Sequence, residues 1–393
     1  MANLLALVPI PSLDRVSAVS GRVRLVWGEE FMSYVLSPGH PLQPERVRLA
    51  VYLIRRLGLD EFAETVPPRA ADEEELALTH SPGYIDLVRR LSDPAERPGV
   101  DPRDILDAGF GTADNPVADG MHAACAQIVG GSLVAAAAVH EGEALHAFNP
   151  AGGLHHAMRS RASGFCVYND VAVAAEWLRR QGHRVAVVDV DVHHGDGTQA
   201  AFYSSPDVLT ISLHESGRYL FPGSGFPTEV GSGAGKGCAA NLPFLPFTWD
   251  DPWLAAFDAV VPRLLRDFKP TVLVTQDGCD THVLDAIAHL QASTRIWPHV
   301  GRRFHELAHE LCKGRWVALG GGGYAIREVV PRAWTLLFSE MVEQPELAES
   351  CLDAAPFPPH PDAQERIWAQ LDRDLAALGR ALGRELSLTS RTA

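Results

Sequence analysis

Asp189, Asp191 and His193 occupy alternate positions in the stretch RVAVVDVDVHHGDG, residues 184–197. The apolar, β-branched run that precedes them reads as a strand buried on both faces of a parallel sheet. Every second side chain of a strand points the same way, so all three project to one face in steps of roughly 7 Å. Two carboxylates and an imidazole are costly to bury unless something cationic compensates them, and a metal ion does so. Asp196 follows close behind. Three other stretches carry reactive groups. His155-His156 offers a pair of imidazoles, TQDGCD (residues 275–280) offers Asp277 and Asp280, and GGGGY (residues 320–324) offers Tyr324 on a glycine loop. Each alone has a plainer reading, as a polar loop, an Asx-bonded turn or a tight strand-to-helix turn. Together they describe a site with metal ligands, bases and an oxyanion donor.

Ligands of open α/β sheets bind outside the carboxyl ends of the strands, so these stretches should each follow a strand. Strands are expected at residues 23–26, 144–148, 185–188, 208–213, 272–275 and 315–319. Helices are expected at residues 44–57, from Ser81-Pro82 to residue 91, and at 171–181, 253–267 and 329–341. Residues 101–116 read as a glycine- and aspartate-rich loop, and Asn115-Pro116 as the opening of a long alanine-rich helix to about residue 139. Strands alternating with helices imply an α/β fold, a central parallel sheet flanked by helices on both faces. We expect an N-terminal extension (residues 1–20), one catalytic domain (21–343) and a proline-rich, then helical, C-terminal segment (344–393) packed on it.

The chain has 393 residues, 46% hydrophobic and 21% charged, with a net charge of −15. Such an acidic balance argues against a nucleic-acid partner. Six scattered cysteines without a C-x-x-C pair imply reduced thiols and a cytoplasmic protein. No apolar run reaches about 18 residues, so no membrane span is expected. GAGKG (residues 233–237) lacks the first glycine and the hydroxyl residue of a phosphate-binding loop, since Val230 and Gly237 stand there.

GGLHHAMRSRASGFCVYND, DVDVHHGDGTQAAFY, TISLHESGRYLFPGSG, TQDGCDTH and LGGGGY also resemble, in order and context, the motifs of the histone deacetylase-like amidohydrolases, closest to the bacterial acetoin-utilisation branch. The resemblance covers roughly residues 20–340 and implies an arginase-like fold and zinc-dependent hydrolysis of the acetyl amide of N6-acetyl-lysine in proteins. It makes Asp191, His193 and Asp280 the metal ligands, whereas the residues alone leave Asp277 and Asp280 open. It makes His156 the general base and acid, with His155 as electrostatic partner, Asp189 supporting His155 and Asp196 supporting His156. Tyr324 matches the tyrosine that donates to the substrate carbonyl. Gly164, Phe165 and Phe221 match the walls of a narrow lysine tunnel, Asp114 an aspartate that holds the substrate backbone, and Arg46 an internal acetate pocket. Asp114 would otherwise read as a solvated loop residue.

The resemblance further implies a K+ or Na+ site built from Asp189, Asp191, His193, Ser212 and the Leu213 carbonyl. A second would use the carbonyls of Phe202, Ser205 and Val208. Asp and His ligands suit Zn2+ and also Fe2+. An acyl-CoA synthetase is the kind of protein substrate found in the resembling branch. Deacetylation of small acetylated polyamines competes with this reading, but polyamine-selective relatives carry a glutamate where Ile287 stands. A non-catalytic acetyl-ligand binder, the rival from another class, should have lost a ligand, the base or the tyrosine, and all are present.

Overall fold

The computed structural model describes residues 22–388; the expected N-terminal extension lies outside them. Eight strands form one sheet: β1 (Val23–Val26), β2 (Glu64–Val66), β3 (His146–Asn149), β4 (Val185–Asp189), β5 (Val208–Glu215), β6 (Ala239–Phe244), β7 (Val272–Gln276) and β8 (Trp316–Leu319). Their order is β2-β1-β3-β8-β7-β4-β5-β6, and every pairing is parallel. Every residue of β3, β4, β5, β7 and β8 is buried, so both faces of the sheet are covered.

The cover comes from helices α1 (Glu45–Arg56), α2 (Glu73–Leu76), α3 (Pro82–Ser92), α4 (Pro102–Asp107), α5 (Met121–Glu141), α6 (Asp170–Arg180), α7 (Asp196–Phe202), α8 (Asp250–Phe268), α9 (Ile296–Cys312), α10 (Val330–Met341) and α11 (Pro361–Leu382). Trp253, Trp297, Trp316 and Trp334 are fully buried among them. In α11, Ile367, Leu371, Leu375 and Leu378 form a buried stripe at helical spacing. The helix packs on β6 and α8 and so covers one edge of the sheet.

The structure departs from the sequence expectations in several places. Strands β2 and β6 lie at the two sheet edges and were not expected, nor was α9. The stretch read as loop contains α4, capped by Asp101 whose carboxylate accepts from the Arg103 amide at 2.8 Å. Asn115-Pro116 does not open α5. Asn115 instead closes a turn, its amide donating to Thr112 Oγ1 (3.0 Å) and its carbonyl accepting from Gly111 (3.0 Å). The helix starts after Gly120, whose φ of 72° interrupts any earlier turn. By length and composition alone α5 would pass for a membrane span, but 72% of its most apolar stretch is buried inside the protein. A helix apolar all round, as α5 is, belongs in a core.

Candidate active site

Strand β4 stops at Asp189, so strand alternation does not carry Asp191 and His193 to one face as the sequence implied. Carboxylates take over the amides that the strand leaves behind. Asp191 N donates to Asp189 Oδ1 (3.2 Å), Val192 N to Asp280 Oδ1 (2.9 Å) and His193 N to Asp191 Oδ1 (2.9 Å). This network folds the segment so that donor atoms of Asp191, His193 and Asp280 lie within 4.8 Å of one another, all buried. His193 Nδ1 is 3.2 Å from Asp191 Oδ1 and 3.1 Å from Asp280 Oδ2. The other oxygen of Asp191 accepts from Gln276 Nε2 (2.8 Å) and Gly322 N (2.7 Å). A Cβ on Gly278 would sit 1.9 Å from that oxygen, so only glycine fits the turn.

The same geometry separates the two aspartates that the residues alone left open. Asp277 turns away into the core, accepting from Thr275 Oγ1 at 2.7 Å, and burial pushes its carboxyl well above the usual range.

The three clustered groups fit a divalent metal. Burial and the neighbouring Asp191 push Asp280 up to about 7. Burial opposes a charge on His193, but the hydrogen bonds it donates to Asp191 and Asp280 overcome this and raise the imidazole to about 10. Two buried carboxylates thus draw a positive charge to this point, and oxygen-plus-imidazole donors suit Zn2+ or Fe2+.

The His155-His156 loop follows β3 and is held by the start of α6. Asp170 accepts from the amides of Gly153 (3.0 Å) and Leu154 (2.7 Å), while Asn169 Nδ2 donates to the His155 carbonyl (2.9 Å). His155 Nδ1 lies 2.7 Å from Asp189 Oδ2, and His156 Nδ1 lies 2.7 Å from Asp196 Oδ1. The two Nε2 atoms approach to 3.0 Å. Burial pulls both imidazoles down. For His155 the charges of Asp189 and Asp191 outweigh it and lift the group to about 9. For His156 the charge on His155 adds to burial and lowers it to about 4, despite Asp196. Adjacent groups driven apart in this way make one charged partner and one neutral base.

Tyr324 ends the glycine loop after β8. Its amide donates to Asp285 Oδ2 at 2.8 Å, and burial followed by the Asp280 charge keeps its hydroxyl protonated, hence a donor. Arg46 is buried over Trp334 and donates to the carbonyls of Gly321 (2.5 Å) and Gly323 (3.4 Å), so its guanidinium holds this loop. The Phe165 ring stands 5.6 Å from Tyr324, and the Phe221 ring 5.0 Å from His156. Phe221 is 44% exposed and therefore at the mouth of the site. Gly164 adopts φ 51°, and a Cβ there would lie 2.3 Å from the His156 ring.

Asp114 lies on an exposed loop; its carbonyl accepts from His40, whose ring packs edge-on to Phe165 at 4.6 Å. Ile287, half-buried, donates its amide to Asp285 Oδ1. Asp189 and Ser212 are register partners in the β4–β5 pairing and line one small cavity, with Ser212 Oγ 2.8 Å from His214 Nδ1. Leu213 is the next residue of β5, where Val208 is the first, and the Phe202 carbonyl accepts from the Ser205 amide at the end of α7. Sequence reasoning missed Asp170, Gln276 and Asp285. Asn169-Asp170 at a helix start was a visible cap signal, and Gln276 a polar residue ending a buried strand; nothing marked Asp285.

Residues 40–341 match the family defined by the histone deacetylase domain. The acetoin utilization protein AcuC of Bacillus subtilis (strain 168) is 44% identical over 317 residues, 80% of this chain and 81% of that protein. AcuC of Staphylococcus aureus (strain MRSA252) is 36% identical over 321 residues, 81% of this chain and 82% of its own. The crystal structure of an HDAC homolog from Aquifex aeolicus superposes with a TM-score of 0.77 at 30% identity, covering 89% of this chain and 99% of that one. The crystal structure of an HDAC homolog complexed with SAHA gives the same values.

Proposed function

This chain belongs to the histone deacetylase family, as an amidohydrolase of the deacetylase type in the acetoin-utilisation branch, and on that premise we propose that it hydrolyses the acetyl amide of N6-acetyl-lysine in proteins, releasing acetate and free lysine, with Zn2+ as its metal. The observation that carries the reading is the buried His155-His156 pair, each ring held 2.7 Å from its own carboxylate, beside the Asp191, His193 and Asp280 cluster. A divalent metal held by those three residues would supply Lewis acidity toward the amide carbonyl and lower the pKa of water.

The chain's own residues do the rest. Neutral His156 accepts the proton of the attacking water and returns it to the departing amine. His155, kept charged by Asp189, holds His156 in the neutral form, and Asp196 fixes its ring. The protonated Tyr324 hydroxyl donates to the carbonyl oxygen as negative charge develops there. Phe165 and Phe221 flank the aliphatic stem of the lysine, and Gly164 leaves room for His156 between them. Asp114, at the rim, accepts from the substrate backbone, and Arg46 keeps the Tyr324 loop in register. A K+ or Na+ beside Asp189, Ser212 and Leu213, and a second near Phe202, Ser205 and Val208, complete the reading. All six cysteines are unbridged, which fits a cytoplasmic setting, where an acetylated acyl-CoA synthetase is the proposed protein substrate.

The test compares kcat/KM of the Zn2+-loaded protein on an acetyl-lysine peptide and on N-acetylputrescine. Apolar Ile287 offers a distant ammonium no counter-charge, so the peptide should be preferred. Preference for the polyamine, or hydrolysis of neither, overturns the assignment.

A further inference from the structure

Among the described residues, one other group of side chains gathers metal-donor atoms within 4.8 Å of one another: His146, His305 and His309. It lies at the amino ends of the strands, opposite the active site. His146 opens β3, whereas the candidate catalytic residues follow the carboxyl ends of the strands. His305 and His309 stand one turn apart on α9, a spacing that presents two imidazoles on one helix face. The three rings are mutually adjacent, with centroids 4.8 Å (146–305), 5.2 Å (146–309) and 4.6 Å (305–309) apart.

Two observations point to a ligand. His146 is 2% exposed, yet its Nδ1 has no hydrogen-bond partner. A buried orphan nitrogen is costly, and a metal would satisfy it. His305 Nδ1 donates to the Glu340 carbonyl at 3.0 Å, so in the neutral ring the lone pair is on Nε2. Metal-binding histidines are commonly oriented by such a bond from the other ring nitrogen. Glu343 Oε1 stands 3.9 Å from His305 Nε2 and could supply charge or a fourth donor. Burial, then His305 and Arg22, lower the His309 imidazole, so Arg22 opposes a cation here while Glu343 acts in the other direction. In a tetrahedral site with bonds of roughly 2.0–2.1 Å, nitrogens lie about 3.3 Å apart. The donor atoms, now within 4.8 Å of one another, would draw together by up to about 1.5 Å on binding.

We propose that His146, His305 and His309 form a second metal site that binds one Zn2+-class divalent transition-metal ion and clips the start of β3 to α9. Three neutral imidazoles select Zn2+, Ni2+, Co2+ or Cu2+ over Mg2+ and Ca2+. The site touches none of the catalytic groups, so it stands whether or not the deacetylase reading does.

The test strips the full chain with a chelator, dialyses it against Zn2+ and counts bound ions per chain. The variants are His309→Gln and His305→Gln, neither of them fully buried, with folding checked by circular dichroism. Each variant should bind one ion fewer than the wild type while turning over acetyl-lysine peptide at the wild-type rate. Co2+ loading of the wild type should add a second visible absorption component that His309→Gln lacks. Equal ion counts in the wild type and both variants would overturn the proposal.

Discussion

Gly164→Ala tests how closely the His156 imidazole is confined. Gly164 has φ 51°, and the new Cβ would fall 2.3 Å from His156 Cδ2 and 2.7 Å from Cγ. The backbone strain alone costs about 1–2 kcal/mol. Ordinary carbon contact needs roughly 3.5 Å, so the ring or the loop must move by about 1 Å. The ring cannot do so cheaply, because its nitrogens are fixed 2.7 Å from Asp196 and 3.0 Å from His155. Misplacing a catalytic group by about 1 Å costs on the order of 10²-fold in rate. We therefore expect kcat/KM on an acetyl-lysine peptide to fall about 10²-fold, with bound metal unchanged and only a small loss of thermal stability. Gly182→Ala is the control: φ is 88° there, but nothing lies within 4 Å of the added Cβ. It should show a similar backbone cost and full activity. Wild-type activity in Gly164→Ala, or equal losses in the two variants, would refute the confinement argument.

Asp285→Asn replaces one of the two oxygens that accept from Tyr324 N and Ile287 N, and a bond to a charged group is worth about 1.5–3 kcal/mol. Turnover should drop about tenfold or more with metal content unchanged in elemental analysis. His80 is buried, accepts from the Asn169 amide and is lowered by burial to about 4. Between pH 6.5 and 4 the unfolded chain binds a proton there that the folded chain refuses, so stability is full above 6.5 and falls with pH by up to about 3 kcal/mol. Urea unfolding at pH 7 and 4.5 should show that loss in the wild type and a smaller one in His80→Gln. Leu375→Ala removes a buried side chain from the α11 stripe and should cost about 2–4 kcal/mol by denaturant unfolding, without affecting turnover.

The buried strands were legible as short apolar runs bounded by glycine, proline or aspartate, and β4, β5, β7 and β8 all fell where the sequence placed them. The edges were not. Strand β2 is three residues, Glu-Thr-Val, with no apolar run, and β6 contains Asn241 and Pro243, both disfavoured in strands. An edge strand tolerates proline because one side of it carries no ladder. Helix α9 hid behind Pro298, although a proline in the first turn is compatible with a helix. At the site, the residue types were readable but not their division of labour. Alternation along a strand grouped Asp189 with Asp191 and His193, yet the chain leaves the strand at Asp189 and carboxylate-to-amide bonds set the rest. Asp277 and Asp280 differ only in where the turn sends them, which depends on Thr275, Gly278 and the facing loop. Positioning residues such as Asp285 act across the fold on Tyr324, a link that no local pattern records.

In the proposed reaction His156 moves the proton and Tyr324 stabilises the oxyanion in a metal-loaded site. Acetate release from an acetyl-lysine peptide by Zn2+-loaded wild type, His156→Ala and Tyr324→Phe, with zinc counted in each, tests it most directly. Each variant should lose about 10²-fold or more in turnover while retaining the zinc held by Asp191, His193 and Asp280. Near-wild-type turnover in either variant would rule out that residue's role.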